Sequence, residues 1–239
     1  MKDDAVAIKL KLIANHSSSV QREYTILKRL EGGVRIPRAL WFGRESAYHA
    51  LVLNLLGPSL HDIFLAHNQK FSLHTVVNLG DQLLSHLEYI HSHNYVHGDI
   101  KPQNVLVGLG HLRHTAFIID FGIAKEYWDT TTKVHIPFRQ NQCLTGTPAF
   151  ASLNNHLGVD PGCRDDLESL TYMLIYLLHG SLLLQVTSVT WPPYHFPFIL
   201  ALTIYRLVLL YRLSIDRILG TVPVPRIARL YARARTFLL

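Results

Sequence analysis

The chain has 239 residues, 49% of them apolar, with two cysteines and a formal net charge of +6. That length leaves room for one large or two small domains with a sizeable core. Two cysteines, Cys143 and Cys163, show neither a metal-type spacing nor the several pairs of a disulfide-stapled secreted scaffold. They point to a reducing compartment, cytoplasmic or nuclear. The opening Met1-Lys2-Asp3-Asp4 is too charged to begin a secretory signal. The net charge is uneven: residues 186–239 hold seven arginines and one acid, Asp216, which accounts for all of the +6. A basic patch can serve a nucleic acid, but this one lies apart from the rest of the chain, and no nucleic-acid partner is expected.

Residues 5–12 alternate apolar and polar positions, as a half-buried strand does. Residues 19–31 place Val20, Tyr24, Leu27 and Leu30 at helical spacing, and Gly32-Gly33 stops that helix. Two short strands are expected at Trp41 to Gly43 and His49 to Leu53. After the Gly57-Pro58 break a helix can run to Ala66. Residues 73–92 form the longest amphipathic segment, with Leu73, Val76, Val77, Leu83, Leu84, Leu87 and Ile90 on one face. Val105 to Val107 and Ala116 to Ile119 read as strands, and residues 165–179 as a buried helix. The connection from Asp120 to Leu153 is long and mixed, which is unusual unless functional. A few strands with one helix, followed by a mostly helical remainder, predict an α+β chain of two lobes.

The chemistry concentrates in His97-Gly98-Asp99-Ile100-Lys101-Pro102-Gln103-Asn104, followed sixteen residues later by Asp120-Phe121-Gly122. An aspartate can accept the proton of an attacking hydroxyl, and a lysine can neutralise a phosphate in transfer. An asparagine with a second aspartate can hold Mg²⁺. Asp99 is therefore the candidate base, Lys101 the candidate cation, and Asn104 and Asp120 the candidate metal ligands. Val6-Ala7-Ile8-Lys9 matches a strand whose lysine pairs with nucleotide phosphates and a helix glutamate, for which Glu23 is the natural partner. Residues 53–60 (LNLLGPSL) read as a linker: the backbone of Asn54 and Leu56 can bond an adenine edge, and Asp62 can reach a ribose. Val52 and Leu53 are expected to form the adenine floor. His91, His93, His97, His111 and His114 show no HExxH pattern, and packing or loop positions account for them better than zinc.

Together these segments resemble a protein kinase, and in detail the casein kinase 1 family. The residues that carry the resemblance are Leu55-Leu56-Gly57-Pro58-Ser59-Leu60, Phe71-Ser72-Leu73, Glu88-Tyr89-Ile90-His91-Ser92 and Gly108-Leu109-Gly110. Further along they are His135-Ile136-Pro137-Phe138-Arg139, Leu144-Thr145-Gly146-Thr147, Ser152-Leu153-Asn154 and Arg164-Asp165-Asp166-Leu167-Glu168-Ser169-Leu170. The resemblance covers residues 5–185. It implies a bilobal fold, ATP and Mg²⁺ as cofactors, a monomer, and phosphorylation of serine or threonine in protein substrates that are often acidic or already phosphorylated. It also implies that Asp166 anchors the catalytic loop.

Several departures qualify that expectation. No glycine-rich loop precedes the Lys9 strand. Gly98 replaces an arginine that often meets a phosphorylated activation loop, and Ala149 falls where the family places an arginine for a primed phosphate. The match ends near Gln185. The expected organisation is a partial small lobe over 1–56, a partial large lobe over 57–185, and a basic, apolar tail over 186–239 unrelated to that fold. The window 196–213 approaches the length of a membrane span, but Arg206 and Arg212 interrupt it at about 2.5–3.5 kcal/mol each, so a span is not expected. The alternative to a working enzyme is a catalytically impaired, kinase-derived binding module.

Overall fold

The structure is a computed structural model and describes residues 5–13, 19–33, 35–129, 131–136, 139–140 and 142–182. These belong to one unit, Met1–Leu182. The tail at 186–239, including the window at 196–213, lies outside the described residues.

Three strands, β1 (Val6–Leu12), β2 (Ala39–Glu45) and β3 (Tyr48–Asn54), form an antiparallel sheet in the order β1-β3-β2. β3 is central, and its register sets Lys9 against Leu51 and Ile8 against Val52. Side chains alternate across a strand, so Lys9, Leu51 and Phe42 share one face, while Ile8, Val52 and Trp41 share the other. Helix α1 (Ser19–Arg29) packs on the first face through Val20, Glu23, Ile26 and Leu27. The spacing of three and four residues brings these side chains onto one stripe. Tyr24 and Phe42 stack with ring centres 5.4 Å apart and tie the helix to the sheet.

The remainder is mostly helical. α2 (Leu60–Ala66) and α3 (Leu73–Ser92) each start at a serine cap, Ser59 and Ser72. α5 (Cys163–His179) follows the short α4 (Leu153–His156) and packs along α3. Leu83 and Leu87 of α3 and Leu170 and Leu177 of α5 are buried; each contributes about 1.5–3 kcal/mol through removal from water. Among the described residues three short strand pairs and one isolated bridge lie around this core. β4 (Tyr95–Val96) pairs with β7 (Lys125–Glu126), and β5 (Val105–Val107) with β6 (Ala116–Ile118). β8 (Trp128–Asp129) pairs with β9 (Val134–His135), and Ser59 bridges to Leu106. The strands expected at 105–107 and 116–119 thus form a hairpin, and the long mixed stretch after Asp120 carries β7, β8 and β9. Among the described residues no helix is long and apolar enough to cross a membrane.

Candidate active site

The β5–β6 hairpin holds two loops at one end. Ile119 N–H donates to the Asn104 carbonyl at 2.9 Å, which sets the residue before Asp120 against Asn104. The loop at 97–104 is pinned from below by Asp166 in the first turn of α5. That carboxylate is fully buried and accepts from His97 N–H and Gly98 N–H, both at 2.8 Å, and contacts His91 Nε2 at 2.8 Å. Burial alone would raise the Asp166 pKa; the His91 bond and charge, with the help of His97 and the Gly98 amide, reverse this and hold it low.

His97 is fully buried and packs edge-on against Phe121 with ring centres 4.9 Å apart. Its Nδ1 accepts from Asp99 N–H at 3.2 Å, so Nε2 carries the proton and donates to the Ile119 carbonyl at 3.0 Å. The histidine therefore fixes the relation between the two loops rather than binding a metal. Gly98 has φ +78°, a left-handed conformation that glycine adopts without the penalty other residues carry.

The first cluster of functional groups grows from this loop. Asp99 Oδ2 accepts from Lys101 Nζ at 2.7 Å and from Asn104 Nδ2 at 3.0 Å. Its Oδ1 accepts from Thr147 N–H at 2.9 Å and Thr147 Oγ1 at 3.0 Å. Lys101 Nζ also donates to Thr147 Oγ1 at 2.7 Å. Thr147 is the functional group that the motif reading missed, although the Thr-Gly-Thr run around it stands out in the sequence. It reaches Asp99 across 48 positions because Gly146 lets the chain pass closely. A Cβ on Gly146 would lie 2.7 Å from the Gly98 carbonyl and 3.0 Å from Asp99 Oδ1.

The second cluster joins the sheet, α1 and the second loop. Lys9 Nζ lies 2.7 Å from both Glu23 Oε2 and Asp120 Oδ1. Burial pulls the Lys9 pKa down, but Glu23 and Asp120 outweigh it and raise the net value, so the ammonium stays charged. Burial pushes Glu23 up against the opposing pull of Lys9. Burial likewise works to raise Asp120, and Lys9 overcomes it, so Asp120 titrates below the usual carboxylate range. Glu23 also accepts from Phe121 N–H at 3.3 Å. Lys9 and Glu23, read from the sequence as partners, lie within ion-pair distance, and Asp120 joins them, a contact the sequence reading did not include.

The linker residues are placed differently. Asn54 N–H donates to the Arg38 carbonyl at 3.1 Å, and its side-chain oxygen accepts from Arg38 N–H at 2.7 Å. Leu56 precedes Gly57, whose N–H donates to the Val107 carbonyl at 2.8 Å, so the linker runs beside β5. Asp62 Oδ2 accepts from Ser59 N–H at 3.0 Å and Ser59 Oγ at 2.6 Å, which makes it part of the α2 capping box. Those Ser59 bonds hold the Asp62 pKa low. The expected floor of Val52 and Leu53 is corrected at Val52: neighbours on one strand point to opposite faces, so Val52 joins Ile8 away from Lys9, while Leu53, paired with Ala7, shares the Lys9 face.

Asp120 and the side-chain carbonyl of Asn104, whose amide nitrogen is committed to Asp99, are hard oxygen donors suited to Mg²⁺. No group of three or more His, Cys, Asp or Glu that could hold a metal occurs among the described residues. An ion held here would complete its shell with water and phosphate, as Mg²⁺ does beside nucleotides. The residues fit that group.

The family model for the protein kinase domain matches residues 2–190 of the chain. That span takes in every residue of both clusters and of the linker.

Proposed function

The chain belongs to the protein kinase family, and from that premise we propose that it transfers the γ-phosphoryl group of ATP to serine or threonine hydroxyls of proteins, as a casein kinase 1 type enzyme. The observation that carries the reading is the pairing of a carboxylate–lysine–asparagine cluster at Asp99, Lys101 and Asn104 with the Lys9–Glu23–Asp120 cluster beside it. The casein kinase 1 assignment is supported by the sequence runs around the linker, residues 135–139, 144–147 and 152–154, and the first turn of α5.

ATP with Mg²⁺ supplies the phosphoryl group and offsets its charge when bound. Asp120 and Asn104 would hold the ion, Lys9 would orient phosphate oxygens, and backbone groups of Asn54 and Leu56 would meet the adenine edge, with Asp62 toward the ribose. Asp99 takes the proton of the attacking hydroxyl as its oxygen bonds to phosphorus and the bond to the ADP oxygen breaks. Lys101 neutralises the group in transit. Asp99 already accepts four hydrogen bonds, so Thr147 must yield one acceptor position to the substrate hydroxyl.

One observation favours a second reading, a kinase-derived binding module. Lys9 Nζ is shared between Glu23 and Asp120, so the cation meant for phosphate neutralises the metal ligand instead. Phosphate incorporation into casein, with Mg²⁺ and Asp99→Asn as control, decides between them. Incorporation well above the control supports the enzyme. Nucleotide-dependent thermal stabilisation with no incorporation above the control overturns it in favour of the module.

A further inference from the structure

Three segments of the chain each carry part of the candidate site, and a second set of side chains ties those same segments together away from it. Arg29 is the last residue of α1, the helix that presents Glu23. Tyr95 lies in β4, four residues before Asp99, and Glu126 lies in β7, six residues after Asp120. Tyr95 and Glu126 are direct register partners in the β4–β7 pair.

The Tyr95 hydroxyl accepts from Arg29 Nη1 at 2.6 Å and donates to Glu126 Oε1 at 2.7 Å. Arg29 also forms an ion pair with Glu126. Tyr95 is 4% exposed, so the arginine and the carboxylate meet over a hydroxyl that is itself withheld from water. Burial first, then the bond to Glu126, pushes that hydroxyl up to about 12, and it stays a donor at neutral pH.

The geometry points to Arg29 as a positioning residue for nucleotide binding: Arg29, Tyr95 and Glu126 form a clasp that holds the end of α1 against the two catalytic segments and thereby keeps Glu23 on Lys9. This rests on the kinase reading given above. In protein kinases the lysine–glutamate pair must be in place for phosphoryl transfer, and the position of this helix is a common point of control, often through a phosphate added to the activation segment. Here a fixed carboxylate, Glu126, supplies negative charge to the helix from the segment just after Asp-Phe-Gly. No modification is needed to create it. The reading also gives Gly98 a context: the loop lacks the arginine that would meet an added phosphate, while the helix has its own cation paired to a built-in acid.

The alternative is that the clasp is an ordinary surface contact. Arg29 is 59% exposed and Glu126 38% exposed, and isolated exposed pairs contribute little. The bond through a buried hydroxyl and the three-way arrangement favour coupling, because loss of either charged partner leaves the buried group with an unmade bond.

The test uses the full chain with Arg29→Met, Glu126→Gln and the double variant. Amide hydrogen exchange in α1 reports helix opening without any need for turnover. The expected result is roughly three- to tenfold faster exchange in α1 for each single variant, with the double variant no faster than either. In steady-state assays the KM for ATP rises by a similar factor, while the KM for casein stays unchanged. A contact that only stabilises the fold would shift both constants or neither. Unchanged α1 exchange, or additive effects in the double variant, overturns the clasp. If the unmodified chain transfers no phosphate, the kinase reading fails, while α1 exchange and nucleotide affinity by titration still decide whether the clasp exists.

Discussion

Asp99, Lys101 and Asn104 lie within six residues of one another, and their loop is pinned by the buried carboxylate of Asp166 through two backbone amides. Lys9, Glu23 and Asp120 come from a strand, a helix and a loop separated by up to 111 positions. Their meeting depends on where α1 sits on the sheet, and Lys9 is 38% exposed. One cluster is built from local chain geometry on a buried anchor. The other is assembled from distant parts and held by side-chain pairs near the surface. The difference places rigidity at the proposed base and adjustability at the lysine proposed to meet phosphate, so the two should respond differently to mutation.

The largest expected effect comes from removing the anchor. Asp166→Ala leaves His91, His97 N–H and Gly98 N–H without their shared acceptor in a dry site. A cost of about 3–5 kcal/mol is expected, read as a shift of the urea midpoint. Asp166→Asn keeps one oxygen acceptor and should cost less. If Asp166→Ala destabilises no more than a surface substitution, the loop is not anchored in this way, and the contrast between the clusters collapses.

Acid should act on α3 before it reaches the buried anchor. His86 in α3 is 2% exposed, and neither ring nitrogen has a hydrogen-bond partner among the described residues. Burial, helped by the charge of Arg35 in the α1–β2 connection, lowers its pKa from 6.5 to about 4. A folded pKa below the unfolded one means that protons favour the unfolded chain. The stability is present above pH 6.5 and falls as pH drops from 6.5 towards 4, by about 3 kcal/mol over the whole window. Asp166, whose pKa is held below 3.8, loses its contribution only when pH falls through that lower range. Melting temperature measured from pH 7 to 4 should therefore decline in the unmodified chain and decline much less in His86→Leu. Equal slopes for the two proteins would remove His86 as the cause.

What the sequence made legible follows from the same contrast. The loop at 97–104 could be read because its groups are close in the chain, and the helices at 19–29 and 73–92 because their apolar spacing is regular. Ser59 and Asp62 three residues later spell a capping box that could also have been read, and it assigns Asp62 a local bond the linker reading overlooked. The expected floor failed at Val52 on the strand period, which the alternation of β3 already implied, and kept Leu53 on the Lys9 face. Strands β7, β8 and β9 have two residues each, too few for any periodicity to show. The clasp was invisible because it depends on the pairing of Tyr95 with Glu126 and on where α1 ends in space. Thr147 was hidden for a similar reason, since only the fold brings it to Asp99.

Thr147 gives the finest probe of the local cluster. Its hydroxyl donates to Asp99 Oδ1 and accepts from Lys101 Nζ, so it bridges the proposed base and the proposed cation, which also pair directly. Its backbone N–H bonds the same carboxylate oxygen at 2.9 Å, and that bond survives a change of side chain. Thr147→Val is close in shape and removes only the hydroxyl. Lys101 then loses one acceptor and closes on Asp99 alone, which ties up the carboxylate that must receive the substrate proton. A misplaced pair of this kind should lower kcat about tenfold, with little change in the KM for ATP, because Lys9 and Asp120 lie in the other cluster. Thr147→Ser restores the hydroxyl and should restore most of the rate. A rise in the KM for ATP with kcat intact would mean that the two clusters are not separable, and that Thr147 acts on the nucleotide rather than on Asp99.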